Sequence, residues 1–135
     1  MRQLTILLLV CFSIGCSVFK KHKSDSLNGT WVPIKQEMGG TAFPAAVLEK
    51  QKLIINDSNY TVMAESVDKG VLRFNGDKID IYGKDGVNAG KHFTAIYKYE
   101  NDMLTICYNL TGDGYPEAFD TKGKPMYFLS EFKRN

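Results

Sequence analysis

The chain has 135 residues, with 17 Lys and Arg against 15 Asp and Glu and two His. That length supports one independent core and excludes two, because each half would bury too little apolar surface to fold. The near balance of charge excludes the basic stripe that a nucleic-acid-binding face requires.

Arg2 gives a positive start, Leu4 to Ile14 is almost wholly apolar, and Gly15-Cys16 closes the run, which is the order of a removable export signal. A membrane-crossing helix needs ~20 apolar residues for ~30 Å of hydrocarbon, more than this run supplies. Residues 1–15 are therefore predicted to be removed. Ser13-Ile14-Gly15-Cys16 resembles the lipobox of bacterial lipoproteins, in which small residues precede a cysteine that receives a diacylglyceryl group. The resemblance implies lipidation at Cys16, and Ser17 in place of an aspartate after it implies the outer membrane of the cell envelope. The rival Cys11 follows bulky Val10, and cleavage there would leave too short an apolar run. Two or more acyl chains, at about 0.8 kcal/mol per buried CH₂, anchor firmly where one would not.

Residues 16–26 lack apolar periodicity and read as a tether. Its Lys20, Lys21 and Lys23 either rest on anionic headgroups or keep the linker solvated. Without the signal the chain carries 16 basic and 15 acidic side chains, and from Ser24 onward 13 and 15. Cys107 is then the one free thiol, so no disulfide framework is expected.

Residues 27–135 show apolar residues at a period of two, in short runs parted by Gly, Asn and Asp, the pattern of antiparallel strands. Eight runs are predicted: Thr30 to Glu37, Gln51 to Ile55, Asn59 to Ala64, Gly70 to Phe74, Lys78 to Tyr82, Phe93 to Tyr99, Met103 to Asn109, and Met126 to Lys133. Asn56-Asp57-Ser58, Asn75-Gly76-Asp77 and Glu100-Asn101-Asp102 tolerate positive φ and suit tight hairpins. Two connections are longer. Met38 to Lys50 carries a short predicted helix from Pro44 to Lys50, with proline near its start; Leu110 to Pro125 is rich in Gly and Pro. Closing eight short strands pairs the first with the last and removes both exposed edges, whereas a sandwich needs more long crossovers. The fold class is therefore all-β, an eight-stranded antiparallel up-and-down barrel with one short helix after the first strand.

Gly29-Thr30-Trp31 on the first strand and Arg134 after the last resemble the calycin signature of lipocalins and their relatives. That resemblance implies that Gly29, Trp31 and Arg134 are structural, with the guanidinium lying across the indole to close the base of the barrel. Across nearly the whole body the sequence also resembles a family of uncharacterised exported lipocalin-like domains, best known from planctomycete-type bacteria. The matching motifs are Leu27-x-Gly29-Thr30-Trp31, Gly40 with Pro44, Lys78-Ile79-Asp80, Gly90-Lys91, Ala95-Ile96-Tyr97, Leu104-Thr105-Ile106-Cys107 and Lys133-Arg134. The family tends to have glycine at Ala95 and arginine before the proline of Tyr115-Pro116, so no role of that arginine carries over. The family supplies no activity to transfer.

No catalytic constellation is legible. His22 lies in the tether and His92 at a strand start, neither with a visible partner. Cys107 reads as an inert buried thiol. Asp77, Asp80 and Asp85, like Asp113, Glu117 and Asp120, miss the spacing of a calcium loop, and turn chemistry explains most of them. Gly83-Lys84-Asp85-Gly86 and Gly112-Asp113-Gly114 lack the strand-to-helix setting of a phosphate loop. No enzyme, metal or cofactor is expected.

An eight-stranded barrel encloses either a packed core or a cavity for one small ligand, and strands this short favour the packed core. Phe74, Phe93, Tyr97, Tyr99, Phe128 and Phe132 are the candidate lining residues. The first functional reading is a lipid-anchored, monomeric envelope module that binds a small apolar ligand. The second is a filled barrel that presents residues 110–125, with Tyr115 and Phe119, to an envelope protein.

Overall fold

The computed structural model describes residues 25–135. The expected signal, Cys16 and nearly all of the tether lie outside those residues. A single 3₁₀ turn, Asp25–Leu27, leads into β1, Gly29–Met38. Then follow β2 (Thr41–Ala42), α1 (Ala45–Leu48), β3 (Lys52–Asn56), β4 (Asn59–Met63), β5 (Val67–Asn75), β6 (Lys78–Asp85), β7 (His92–Glu100), β8 (Met103–Asn109) and β9 (Tyr127–Arg134). From β3 to β9 every strand pairs antiparallel with its neighbour in sequence, and β1 pairs with both β3 and β9. The result is a closed eight-stranded up-and-down barrel. The two-residue β2 only folds back on the end of β1, opposing Glu37 to Ala42.

Alternation sets the inner face. Leu53 and Ile55, Tyr60, Leu72, Ile79 and Ile81, Ala95 and Tyr97, Leu104 and Ile106, and Phe132 form one core around Leu27 and Trp31. Turn residues hold the hairpins: Asp57, Gly76, Asn101 and Asp102 all take φ between 52° and 64°, the left-handed region that Asn, Asp and Gly reach most readily. The helix after β1 is shorter than its apolar pattern suggested. Pro44 is its N-cap at φ −69° and ψ 150°, and Gln51 N–H already bonds Leu48 C=O as the chain turns into β3.

One irregularity was not legible as such. β1 carries a bulge between Pro33 and Lys35, where proline has no N–H to give to a neighbouring strand. An extra residue in a strand inverts the facing of everything after it. Trp31 lies inward before the bulge, and Gln36 lies inward after it, hydrogen-bonded to inward-facing Ser130. Lys35 and Glu37 are thereby turned out, where Lys35 meets Glu131 at 3.6 Å and Glu37 at 3.8 Å.

The connection between β8 and β9 folds back on the outside of the wall. Ile96, Cys107 and Leu129, outward residues of β7, β8 and β9, form a second small core beneath Tyr115, Phe119 and Tyr127.

Candidate functional site

The barrel is not filled. Its interior holds a cavity of about 200 Å³, where the shortness of the strands had favoured a packed core. The walls are almost entirely hydrocarbon: Leu53, Leu72, Ile81, Leu104, Ile106 and their neighbours, with Leu27 among the lining residues. Of the six aromatic candidates, Phe74, Phe93 and Phe128 line this cavity. Phe128 and Phe132 line an adjoining recess of about 70 Å³. Tyr97 packs edge-on against Phe74 at 5.5 Å rather than lining the space, and Tyr99 belongs to the base, edge-on to Trp31 at 5.7 Å.

The base is closed by residues from the first and the last strand of the barrel. Trp31 and Arg134 oppose one another across β1 and β9, and the guanidinium carbon stands 4.3 Å from the indole ring centroid. Arg134 also donates to the carbonyls of Asn28, at 2.8 Å, and Ser26, while the Trp31 indole N–H donates to Leu27 C=O at 2.8 Å. The turn before β1 is thereby held over the end of the barrel. Gly29 has φ +136°, a conformation that strains any other residue, and a β-carbon there would lie 2.9 Å from Arg134 Nη1 and displace the guanidinium.

The opposite end carries the polar groups. Asp68 at the start of β5 is 8% exposed and accepts from both the backbone N–H and the side-chain amide of Asn88, at 3.0 and 2.8 Å; both residues line the cavity. The Asn88 loop sits so close that a β-carbon on Gly83 would lie 1.8 Å from Asn88 C=O. Burial, and then the Asp68 charge, pushes the Tyr60 hydroxyl up, and burial pushes Tyr108 up as well. Both phenols are therefore neutral at physiological pH. Across the mouth, Gln36 is 3% exposed and borders the recess. Its amide nitrogen donates to Gln51 Oε1 at 2.8 Å and Ser130 Oγ at 3.2 Å, while its Oε1 has no hydrogen-bond donor among the described residues.

Outside the barrel, two sequence expectations meet a different arrangement. Tyr115 and Phe119 are half-buried on the wall rather than displayed, with the Lys78 and Lys98 ammonium groups over their rings at 5.0 and 4.9 Å. His92 does have a partner: its Nε2 lies 2.7 Å from Asp80 Oδ1, and Tyr115 donates to Asp80 Oδ2 at 2.6 Å. Asp80, within the strand predicted there, thus ties the loop to the wall. The Tyr115 hydrogen bond, followed by His92, holds its carboxyl below the ordinary value in spite of some burial. Cys107 is fully buried on the outer face of β8, and burial pushes its thiol up.

Asp68, Asn88 and Gln36 were not picked out from sequence. The available cue for Gln36 was the proline three residues before it in a strand, which signals a bulge; for Asp68 it was the continuation of the β5 alternation through Gly70. Among the described residues no cluster of three or more His, Cys, Asp or Glu could hold a metal ion, and no helix is long and apolar enough to cross a membrane. Neither a protein-family model nor a curated relative matches the sequence.

Proposed function

We propose that this chain is a lipid-anchored binding module of the bacterial cell envelope whose barrel holds one small apolar ligand. The observation that carries the reading is the hydrocarbon-lined cavity of about 200 Å³ inside the barrel. An apolar cavity of ~150 Å³ stays dry and accepts benzene, whereas sites for drug-sized ligands run to ~300–1,000 Å³. By that scale the barrel takes a guest of about eight heavy atoms, a single ring or a short chain. Anchoring rests on the sequence around Cys16, and the lysines that follow it suit an anionic membrane surface. Ser17 supports the outer membrane as its address. No residue of the cavity is assigned a reaction, and the module is taken to work as a monomer.

A straight-chain series tests the binding reading. Each buried CH₂ contributes about 0.8 kcal/mol, so affinity is expected to rise about fourfold per added carbon and to fall once the chain outgrows the cavity. Thermal shift and native mass spectrometry over chains of four to twelve carbons would show that maximum. A flat response across the series, with no ligand retained, would overturn the reading. Anchoring is tested separately by metabolic labelling with an alkyne fatty acid. Label is expected on the wild-type chain and not on Cys16→Ala; equal labelling of both would exclude Cys16 as the lipid site.

A further inference from the structure

The ladder between β1 and β3 ends early. Gly29, Thr30 and Trp31 pair with Ile55, Ile54 and Leu53, and the same register would next oppose Val32 to Lys52 and Pro33 to Gln51. Those pairs do not form. Pro33 has no N–H to donate, and the bulge beside it carries β1 away toward β9. The wall therefore lacks backbone pairing between two strands that a regular barrel would join at this place. The fissure is covered from outside by α1, whose Leu48 is buried, and crossed inside by the Gln36–Gln51 hydrogen bond.

Three hollows line up at this unpaired stretch. An outer groove of about 290 Å³ lies between the bulge and α1, bordered by Pro33, Ile34, Leu48, Gln51 and Lys52. Gln51 and Lys52 also border the inner recess. The recess shares Leu53, Val62, Tyr108 and Phe128 with the main cavity. Shared lining residues thus run from the outer groove through the recess to the apolar interior, and Gln36 stands in the recess, the smallest of the three.

Gln36 is also where a polar acceptor is left over. Asp68, the charged group of the cavity lining, has both oxygens engaged by Asn88, whereas Gln36 Oε1 is sealed from solvent without a donor among the described residues. A buried acceptor left unpaired is costly, and a ligand that supplies the missing donor gains that difference. Resting on the ligand-binding reading above, we infer that the β1–β3 fissure is the ligand portal and that the ligand is a neutral chain with a terminal hydroxyl donating to Gln36 Oε1. The hydrocarbon end enters first and fills the cavity; the hydroxyl trails and stops in the recess. A carboxylate head would present only acceptors to an acceptor and is disfavoured, while a donor-free ether of the same size leaves Gln36 unpaired.

The test compares 1-octanol with its isomer 1-methoxyheptane, and with octanoate, by calorimetric titration of the full chain. Octanol is expected to bind at least tenfold more tightly than the ether or octanoate, and Gln36→Leu to bring octanol and ether to equal affinity. Equal binding of octanol and ether to the wild-type chain, or tighter binding of octanoate than of octanol, would overturn the assignment of Gln36 while leaving the cavity reading intact. Binding of none of the three would overturn both. The portal is read from kinetics. Gln51→Ala, which removes the inner crossing bond, and Leu48→Ala, which thins the outer cover, are each expected to raise octanol association and dissociation rates severalfold. Rates unchanged from wild type in both variants would place the entrance elsewhere.

Discussion

Arg134 performs several small tasks at one place: a cation over the Trp31 face, worth about 0.5–1 kcal/mol where solvent reaches it, and hydrogen bonds to the Asn28 and Ser26 carbonyls, each worth about 0.5–1.5 kcal/mol. Arg134→Ala is expected to cost about 1.5–4 kcal/mol by these contributions together. In a domain of this size that lowers the melting temperature by several degrees. Trp31 is the sole tryptophan, so the same variant is expected to shift the emission spectrum. An unchanged spectrum would mean that the guanidinium does not lie on the indole in solution. At Gly83 the constraint is steric, since a methyl group would lie 1.8 Å from Asn88 C=O. Gly83→Ala is therefore expected to displace the Asn88 loop at about 1–3 kcal/mol and to weaken ligand binding through the loss of the Asp68 partner. Asp80 titrates below its ordinary value of 3.8 because Tyr115, and then His92, hydrogen-bond its charged form. Its contribution to holding the loop is complete above that ordinary value and is lost as pH falls through the lowered one. Carboxyl NMR is expected to show the Asp80 midpoint rising in Tyr115→Phe; an unmoved midpoint would dissociate the two residues.

Among the elements, the strands were the most readable because each contributes alternating residues to a single apolar interior and is flanked by turns of Asn, Asp and Gly. β8 was read with the same ends that the structure shows, Met103–Asn109. The strand predicted from Gly70 to Phe74 begins instead at Val67 and sets the Asp68 carboxylate at the cavity mouth. The Pro33 bulge escaped for a different reason. Inversion of facing leaves a sequence in which Lys35-Gln36-Glu37 reads as polar throughout, whichever residue turns inward. The 110–125 connection was legible in length but not in placement. Its Tyr115 and Phe119 bury a second patch of wall, and nothing local in the sequence distinguishes that from display. This arrangement protects Cys107, and the native thiol is expected to resist a thiol reagent until the connection opens. Phe119→Ala is expected to speed modification at Cys107 by tenfold or more, followed by peptide mass mapping. Modification of the wild type at the rate of an exposed cysteine would contradict the covering role.

At the scale of the molecule, closure was deducible because eight short strands in hairpin order leave two edges that can satisfy one another, and the β1–β9 ladder does so over seven residue pairs. Whether the closed barrel would be filled was not deducible. The thirteen Phe and Tyr residues between 27 and 135 are enough to plug the interior, and how many turn inward depends on register and on the outer wall. In the folded chain Tyr115, Phe119 and Tyr127 are used outside, and Tyr99 goes to the base against Trp31. The interior is left to aliphatic side chains together with Tyr60, Phe74, Phe93, Tyr108 and Phe128, around an open centre. The functional account depends on that centre accepting an apolar guest. The most direct measurement is crystallography of the protein under xenon pressure. The account expects xenon density inside the barrel, among Leu72, Ile81, Phe93 and Ile106; an interior that takes up no xenon, with these side chains collapsed into contact, would contradict it.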